Sequence, residues 1–402
     1  MAQVLRDASL QAFDALIELV QERDAAFLLL AGDLYDGAER GVRAQLRLHA
    51  GLRRLAERGV PSFLVHGNHD PMEEGWSALD GFPAEVTVFG SDAVGSVPVL
   101  RDGECLATVH GRSYAVRETC ENLALGFARG DAPGLHIGLL HCNVGGAREH
   151  APYSPCTQEE LIRARLDYWA LGHVHGHQVV RAGEPWIVYP GNLQGRSLRS
   201  VERGPKGACV VEVESGRVMR VDHVALDRVR FAELELSLPE QGDLADLEAA
   251  LREAGEALHR GQDGRALVLR AVLTGRAPLH AAVARPGVCE TLLAGLREAA
   301  AEVRPVLWWD ALEDRSRAPL DRPAILARDD FSAALLREHE RAAADANAPP
   351  GLPAEVYEPL ERLTSPWLPA PDATSWAAER AEAEQLALDA LEQLRESEEA
   401  RG

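Results

Sequence analysis

Four short segments, each directly behind an apolar run, constrain this chain more than anything else in it. They are Ala31-Gly32-Asp33, Gly67-Asn68-His69-Asp70, Leu140-His141-Cys142-Asn143 and Leu171-Gly172-His173-Val174-His175. Their carboxylate, amide and imidazole groups are metal-ligand types, yet they lie as far apart as residues 33 and 175. Such distant ligands converge only if the strands carrying them end at one edge of a sheet, which is where open α/β sheets bind their ligands. Residues 27–31 and 62–65 read as buried strands. Residues 4–23 and 42–58 repeat their apolar side chains at helical spacing, and Gly59 stops the second. This alternation predicts a largely parallel sheet covered by helices.

The same reading places further strands at 85–89, 106–110, 136–140, 168–171, 186–189 and 208–213, and a helix near 158–165. Beyond residue 228 the composition changes. Residues 233–260 are rich in Leu, Ala and Glu and read as mostly helical. Strand-like runs at 266–273 and 305–309 follow, with a helical stretch at 292–302 between them. A chain of 402 residues has room for two or three domains. The expected division is an α/β domain over 1–228, a small α/β cap over 229–345 and a tail over 346–402. The tail opens with seven prolines between residues 348 and 373, read as a linker, and ends in a helix over 376–394.

Composition narrows the function. The net charge is −21, unlike a protein that holds DNA by bulk charge, although a local basic rim or bound metal can offset a global field. No apolar stretch approaches the roughly 18 residues of a membrane helix. The first ten residues carry Arg6 and Asp7 and no apolar core, so a signal peptide is not expected. Six cysteines without C-x-x-C spacing read as reduced thiols, and the expected location is the cytoplasm.

Hard oxygen donors (Asp33, Asn68) mixed with imidazoles (His141, His173, His175) suit Mn, Fe or Zn rather than a calcium cage. Two such ions roughly 3.5–4 Å apart can clamp an in-line phosphoryl transfer. Each segment alone has a plainer reading. Gly32-Asp33 is a common turn, and a His-x-His at a strand end is as readily a surface pair. The four together, each behind a strand, favour a metal centre. Arg196, Arg199, Arg203 and Lys206 place four cations just after it, able to hold a phosphate backbone or simply to form a solvated loop. Cys142, Trp308-Trp309 and His110 read first as packing residues.

These segments resemble the motif series of the calcineurin-like metallophosphoesterases. The run Tyr189-Pro190-Gly191-Asn192-Leu193-Gln194-Gly195-Arg196 resembles the corresponding loop of the DNA double-strand-break-repair exonucleases of the SbcD and YhaO type. The resemblance spans about residues 5–226. It implies a four-layer α/β/β/α sandwich and two divalent metal ions, Mn²⁺ favoured with Fe or Zn as alternatives. By motif, Asp33 would bridge both ions. Asn68, His141 and His173 would complete one site, and His175 would belong to the other. His69 would face the scissile phosphate as general acid or charge stabiliser, Asp70 would orient it, and Arg196 and Arg199 would touch the substrate. The implied partners are DNA, a coiled-coil ATPase docked on the terminal helix, and a second copy of the chain. No membrane is implied.

One motif of the family is missing. The family opens with a strand ending in Asp-x-His, which supplies two more ligands, whereas here Met1 stands directly before the first helix. Its absence should leave a gap in the sheet. The expectation from the intact remaining ligands is that the coding frame continues upstream for about 20–35 residues and encodes such a strand, a mean-length strand plus loop. Three alternatives stay open at this point. They are a phosphatase or cyclic-nucleotide phosphodiesterase of the same superfamily, a scaffold that binds DNA or an ATPase without cleaving, and a regulatory adaptor working through its acidic tail.

Overall fold

The computed structural model describes residues 2–35, 41–73, 81–145, 153–239, 242–319 and 322–329, with residues 333, 334, 336, 337 and 340. The expected linker and terminal helix over 346–402 lie outside these. The chain divides into two compact units, 1–317 and 318–402. In the second, helix Arg322–Leu326 is followed by Arg337, whose guanidinium donates to the Leu326 and Arg328 carbonyls.

The first unit opens with helix α1 (Ala2–Glu22), strand β1 (Leu28–Ala31), helix α2 (Val42–Ala56) and strands β2 (Ser62–Val65) and β3 (Val86–Val88). The three strands form a parallel sheet in the order β1-β2-β3. There follow β4 (Gly95–Arg101), β5 (Glu104–Arg112), β6 (Leu135–His141), α3 (Gln158–Arg163), β7 (Tyr168–Gly172), β8 (Gln178–Arg181) and β9 (Trp186–Tyr189). They build a six-stranded sheet ordered β8-β9-β7-β6-β5-β4, parallel at its centre with antiparallel edges. The hairpin of β10 (Gly207–Glu214) and β11 (Arg217–Ala225) stands as a sheet of its own.

Strand alternation sorts side chains into layers. Leu28 and Leu30 of β1 join Leu16, Ile17, Leu52 and Leu55 of the two helices. Leu29 and Ala31 point the other way, into a core with Val109, Ile137, Leu139 and Tyr168 of the second sheet. That sheet turns Trp169, Leu171, Ile187 and Tyr189 outward against Leu161 of α3. The result is a four-layer α/β/β/α sandwich. β10 alternates in the same sense, Ala208 and Val210 toward the helices and Cys209 and Val211 toward the second sheet. It therefore lies in the layer of β1, although among the described residues neither strand has a neighbour on the side facing the other. A cleft of about 1800 Å³ runs there, lined by Phe13, Val20, Leu29, Ala107, Ile137 and Val211. The gap expected in the sheet is present, and it is apolar.

Residues 229–314 form a parallel three-stranded sheet of β12 (Val229–Ser237), β13 (Ala266–Thr274) and β14 (Leu307–Asp314), with α4 (Leu244–Arg260) and α5 (Val288–Ala299). Residues 233–260, expected to be mostly helical, are helix over 244–260, but 233–237 end a strand. Residues 232–237 alternate strictly (Ala-Glu-Leu-Glu-Leu-Ser), which suits a half-buried strand, and the helix begins only where Asp243 caps it with a reciprocal bond to Asp246. The fully buried Trp309 packs in this core. Trp308 is partly exposed, with the Arg297 guanidinium 4.9 Å above its ring.

Candidate metal centre

The carboxyl ends of β1, β2, β6 and β7 deliver the four motifs to one place, at the end of the cleft between the sheets. The turns that carry them are under constraint. Asp33 has φ 52° and His173 has φ 99°, left-handed values uncommon outside glycine and found disproportionately at functional sites. Gly32, at φ 90°, lets the chain leave β1 sharply.

His141 is fully buried at the centre. Its Nδ1 lies 2.8 Å from the Ala31 carbonyl, which can only accept, so Nδ1 carries the proton and Nε2 has a lone pair. Yet Nε2 faces two oxygens, Asn68 Oδ1 at 3.0 Å and Asp33 Oδ2 at 3.3 Å. His173 Nδ1 lies 3.3 Å from that same Asn68 oxygen. Lone pairs aimed at one another need a cation between them. In the absence of one, a second proton on His141 serves. Burial alone would lower the imidazole's pKa, but the adjacent Asp33 carboxylate outweighs it and raises the value. Burial likewise pushes the Asp33 carboxyl up, and His141 more than reverses this, holding it well below the ordinary carboxylate range. The donor set Asp33, Asn68, His141 and His173 therefore fits a divalent ion.

The chain allows nothing else in this space. A Cβ on Gly172 would lie 2.6 Å from His141 Nδ1 and overlap the Ala31 carbonyl, and one on Gly67 would lie 2.8 Å from the same ring and overlap Asp33. Asp70, almost fully buried, ties the loops together. Its carboxylate accepts from Gly67 N at 2.8 Å, Leu34 N at 3.0 Å and Asp33 N at 3.2 Å, a task the sequence did not suggest. His69 is half-buried, and its backbone N–H donates to Asp33 Oδ1 at 2.9 Å, which sets its side chain beside the ligands.

The other ligand group is thinner. His175 lines the same cleft as Asp33. Among the described residues no three His, Cys, Asp or Glu side chains are grouped to hold an ion, and the set around His141 draws also on the Asn68 amide. His175 Nδ1 instead meets Glu202 at 2.5 Å. Sequence reading missed Glu202. The only available signal was a lone acid among the cations of residues 196–206.

The cations divide. Lys206 is buried and its ammonium serves the carbonyls of His175 and Val201, so it cannot reach a substrate. Arg203 makes a two-armed ion pair with Glu233 at 2.8 and 3.0 Å. Arg196 and Arg199 are exposed, and Arg196 lines the cleft. Gln194 is buried and joins this loop to β12, accepting from Arg228 N and Val229 N and donating to the Val229 carbonyl. His110 is buried between Ser96 and His136, and Cys142 turns into the outer core beside Cys156.

Comparison with known proteins agrees with this geometry. Residues 6–177 match the family model "Calcineurin-like phosphoesterase", and 231–317 match "Metallophosphoesterase YhaO, middle domain". The chain is 32% identical over 313 residues to the uncharacterized metallophosphoesterase YhaO of Bacillus subtilis, covering 78% of this chain and 75% of that protein. The chain belongs to the YhaO family of metallophosphoesterases. It is thus a hydrolase of a family whose name implies a metal-dependent phosphoesterase. It is also 26% identical to the DNA double-strand break repair protein Mre11 of Thermoplasma acidophilum, over 52% of this chain and 56% of that one. Against the Mre11 of Halobacterium salinarum the identity is 25%, over 62% of each chain. It spans less than two thirds of these Mre11 relatives. No helix among the described residues is long and apolar enough to cross a membrane.

Proposed function

We propose that the protein is a DNA nuclease of the repair class, hydrolysing phosphodiester bonds with divalent ions, Mn²⁺ favoured. The observation that carries the reading is the convergence of His141 Nε2, Asn68 Oδ1 and Asp33 Oδ2 on one point. Similarity to proteins named for DNA double-strand break repair supports DNA as the substrate. In this reading Asp33, Asn68, His141 and His173 hold one ion, and Asp33 with His175 contributes to a second. Bound ions supply Lewis-acid activation of water and neutralise charge on the phosphate. His69 donates a proton to, or stabilises, the leaving oxygen from its place beside Asp33. Asp70 keeps the Asp33 and Asn68 loops in register, and Arg196 and Arg199 hold the DNA backbone.

The same reading takes residues 1–228 as the nuclease domain, 229–345 as a cap and 346–402 as the arm that docks a cytoplasmic ATPase partner, with a homodimer as a further assembly. Loss of ATPase binding on truncation at Ala373 tests the arm. Turnover of linear duplex DNA with Mn²⁺, compared with that of a small chromogenic phosphodiester, tests the activity. Hydrolysis of the small ester without DNA cleavage would leave a phosphodiesterase of another kind.

A second reading is a scaffold that binds DNA or a partner without cutting. It draws on the sparse ligands around His175 among the described residues. Two ions per chain, measured by metal analysis, favour the enzyme, and one or none favours the scaffold.

A further inference from the structure

Glu202 stands in a short turn, Ser200–Glu202, and is 5% exposed. One carboxylate oxygen faces His175 Nδ1 at 2.5 Å. The other accepts from Asn192 Nδ2 at 2.9 Å and from the backbone N–H of Arg196 at 3.0 Å. The loop also grips the His175 main chain, whose carbonyl accepts from Asn192 N at 3.1 Å and Lys206 Nζ at 2.9 Å.

We propose that Glu202 is a positioning residue that fixes the tautomer of His175 and ties this ligand to the loop carrying Arg196. Its use in catalysis rests on the reading of His175 as a metal ligand, but the tautomer itself does not. An ionised carboxylate can only accept, so His175 must donate from Nδ1. Nε2 then holds the lone pair and is the nitrogen presented to an ion. A carboxylate behind a ligating imidazole also raises its basicity and fixes its ring, an arrangement generally worth 10–100-fold in metal affinity. Glu202 adds a second connection. The oxygen that does not face His175 holds the Arg196 amide, so the ring and the cation-bearing loop share one anchor.

Glu202→Gln separates this role from mere packing, because it preserves shape while removing the charge and turning one acceptor into a donor. Two orientations are open to the amide. With its oxygen toward Asn192 and Arg196, both donors stay satisfied and the –NH₂ meets His175 Nδ1. Turned the other way, the –NH₂ opposes two donors at once. The first orientation wins, and it forces His175 to accept at Nδ1 and carry its proton on Nε2, where it blocks an ion.

The test is ¹⁵N NMR of histidine-labelled full-length protein without metal, which reads the proton on each ring nitrogen, followed by titration with Mn²⁺ alone. Wild type is expected to show His175 protonated at Nδ1. Glu202→Gln is expected to show it protonated at Nε2 and to bind Mn²⁺ about 10–100-fold more weakly. A wild-type His175 protonated at Nε2 would overturn the proposal, and that measurement stands even if the variant does not fold. So would a folded Glu202→Gln protein that keeps both tautomer and affinity. Failure of the wild type to cut DNA would instead count against the proposed function and leave the tautomer result intact.

Discussion

Replacing Gly172 by alanine adds one methyl group where two sheets come closest. Gly172 ends β7, pairs with His141 on β6, and faces the end of β1 in the other sheet. Its new Cβ would overlap the Ala31 carbonyl, a backbone atom that cannot swing aside, and would stand 2.6 Å from His141 Nδ1. Overpacking of this kind costs about 1–3 kcal/mol, and a backbone obstacle puts the cost near the upper end, ~3 kcal/mol. Unfolding entropy of about 2.1 cal/mol/K per residue, taken over the 317 residues of the first unit, comes to about 0.7 kcal/mol/K. Tm should therefore fall by about 4–5 °C. The bond from His141 to the Ala31 carbonyl, now 2.8 Å, must also lengthen, so Mn²⁺ affinity should drop about 10–100-fold. Gly130→Ala is the control, since a Cβ there meets nothing within 4 Å. Calorimetry and Mn²⁺ titration of both variants decide the matter. If Gly172→Ala melts within a degree of wild type and binds Mn²⁺ equally well, the close approach of β1 and β7 is not what sets the site.

Four further outcomes are expected. His69→Ala should keep its metal, measured by elemental analysis, while DNA turnover falls about 10²–10⁴-fold; loss of metal would show His69 to be a ligand. Asp70→Ala removes the acceptor of three loop amides and should cost about 3 kcal/mol or more in urea unfolding, since unpaired buried groups cost about 1–3 kcal/mol each; a loss below 1 kcal/mol would refute this. Burial, reinforced by His136 and Arg129, pushes the His110 imidazole down to about 4, so the native state holds fewer protons than the unfolded chain between that value and about 6.5. Its stabilisation is complete above about pH 6.5 and lost as pH falls toward 4, at most about 3 kcal/mol, and His110→Gln should flatten the urea-midpoint profile over that window. Replacing Arg196 and Arg199 by alanine should weaken DNA binding uniformly across sequences and reduce the salt slope by about 2, whereas Arg203→Ala, which breaks the pair with Glu233, should lower stability and leave that slope unchanged.

Much of the fold and the outline of the site could be read from residue order alone, because both are local signals. The run 186–189 is apolar on both faces and became β9 with the same bounds, and the four motif segments gathered as their strand ends required. What escaped depends on distance. Strand 95–101 turns only Val97 and Val99 inward, too short an alternation between Gly95 and Arg101 to stand out, and it is completed by its pairing with β5. Strand 229–237 was hidden by helix-favouring Ala, Leu and Glu, whose preference yields to a parallel partner at every position from Val229 to Ser237. Glu202 carries no spacing signal, and the motif that holds Asp70 did not reveal its task, since His175 and the Asp33 and Leu34 amides lie far off in sequence. Lys206 and Arg203 looked like free cations until their acceptors were known, and an acceptor 30 residues away is invisible to composition.

Two strand edges facing each other across an apolar cleft form a template. Each offers a row of backbone donors and acceptors, and apolar walls above and below reward any extended chain that enters. A single inserted strand would join the three strands on one side to the two on the other, giving a continuous six-stranded sheet opposite the existing six-stranded one. A strand in that place would pair both rows of backbone groups at once and leave neither edge open.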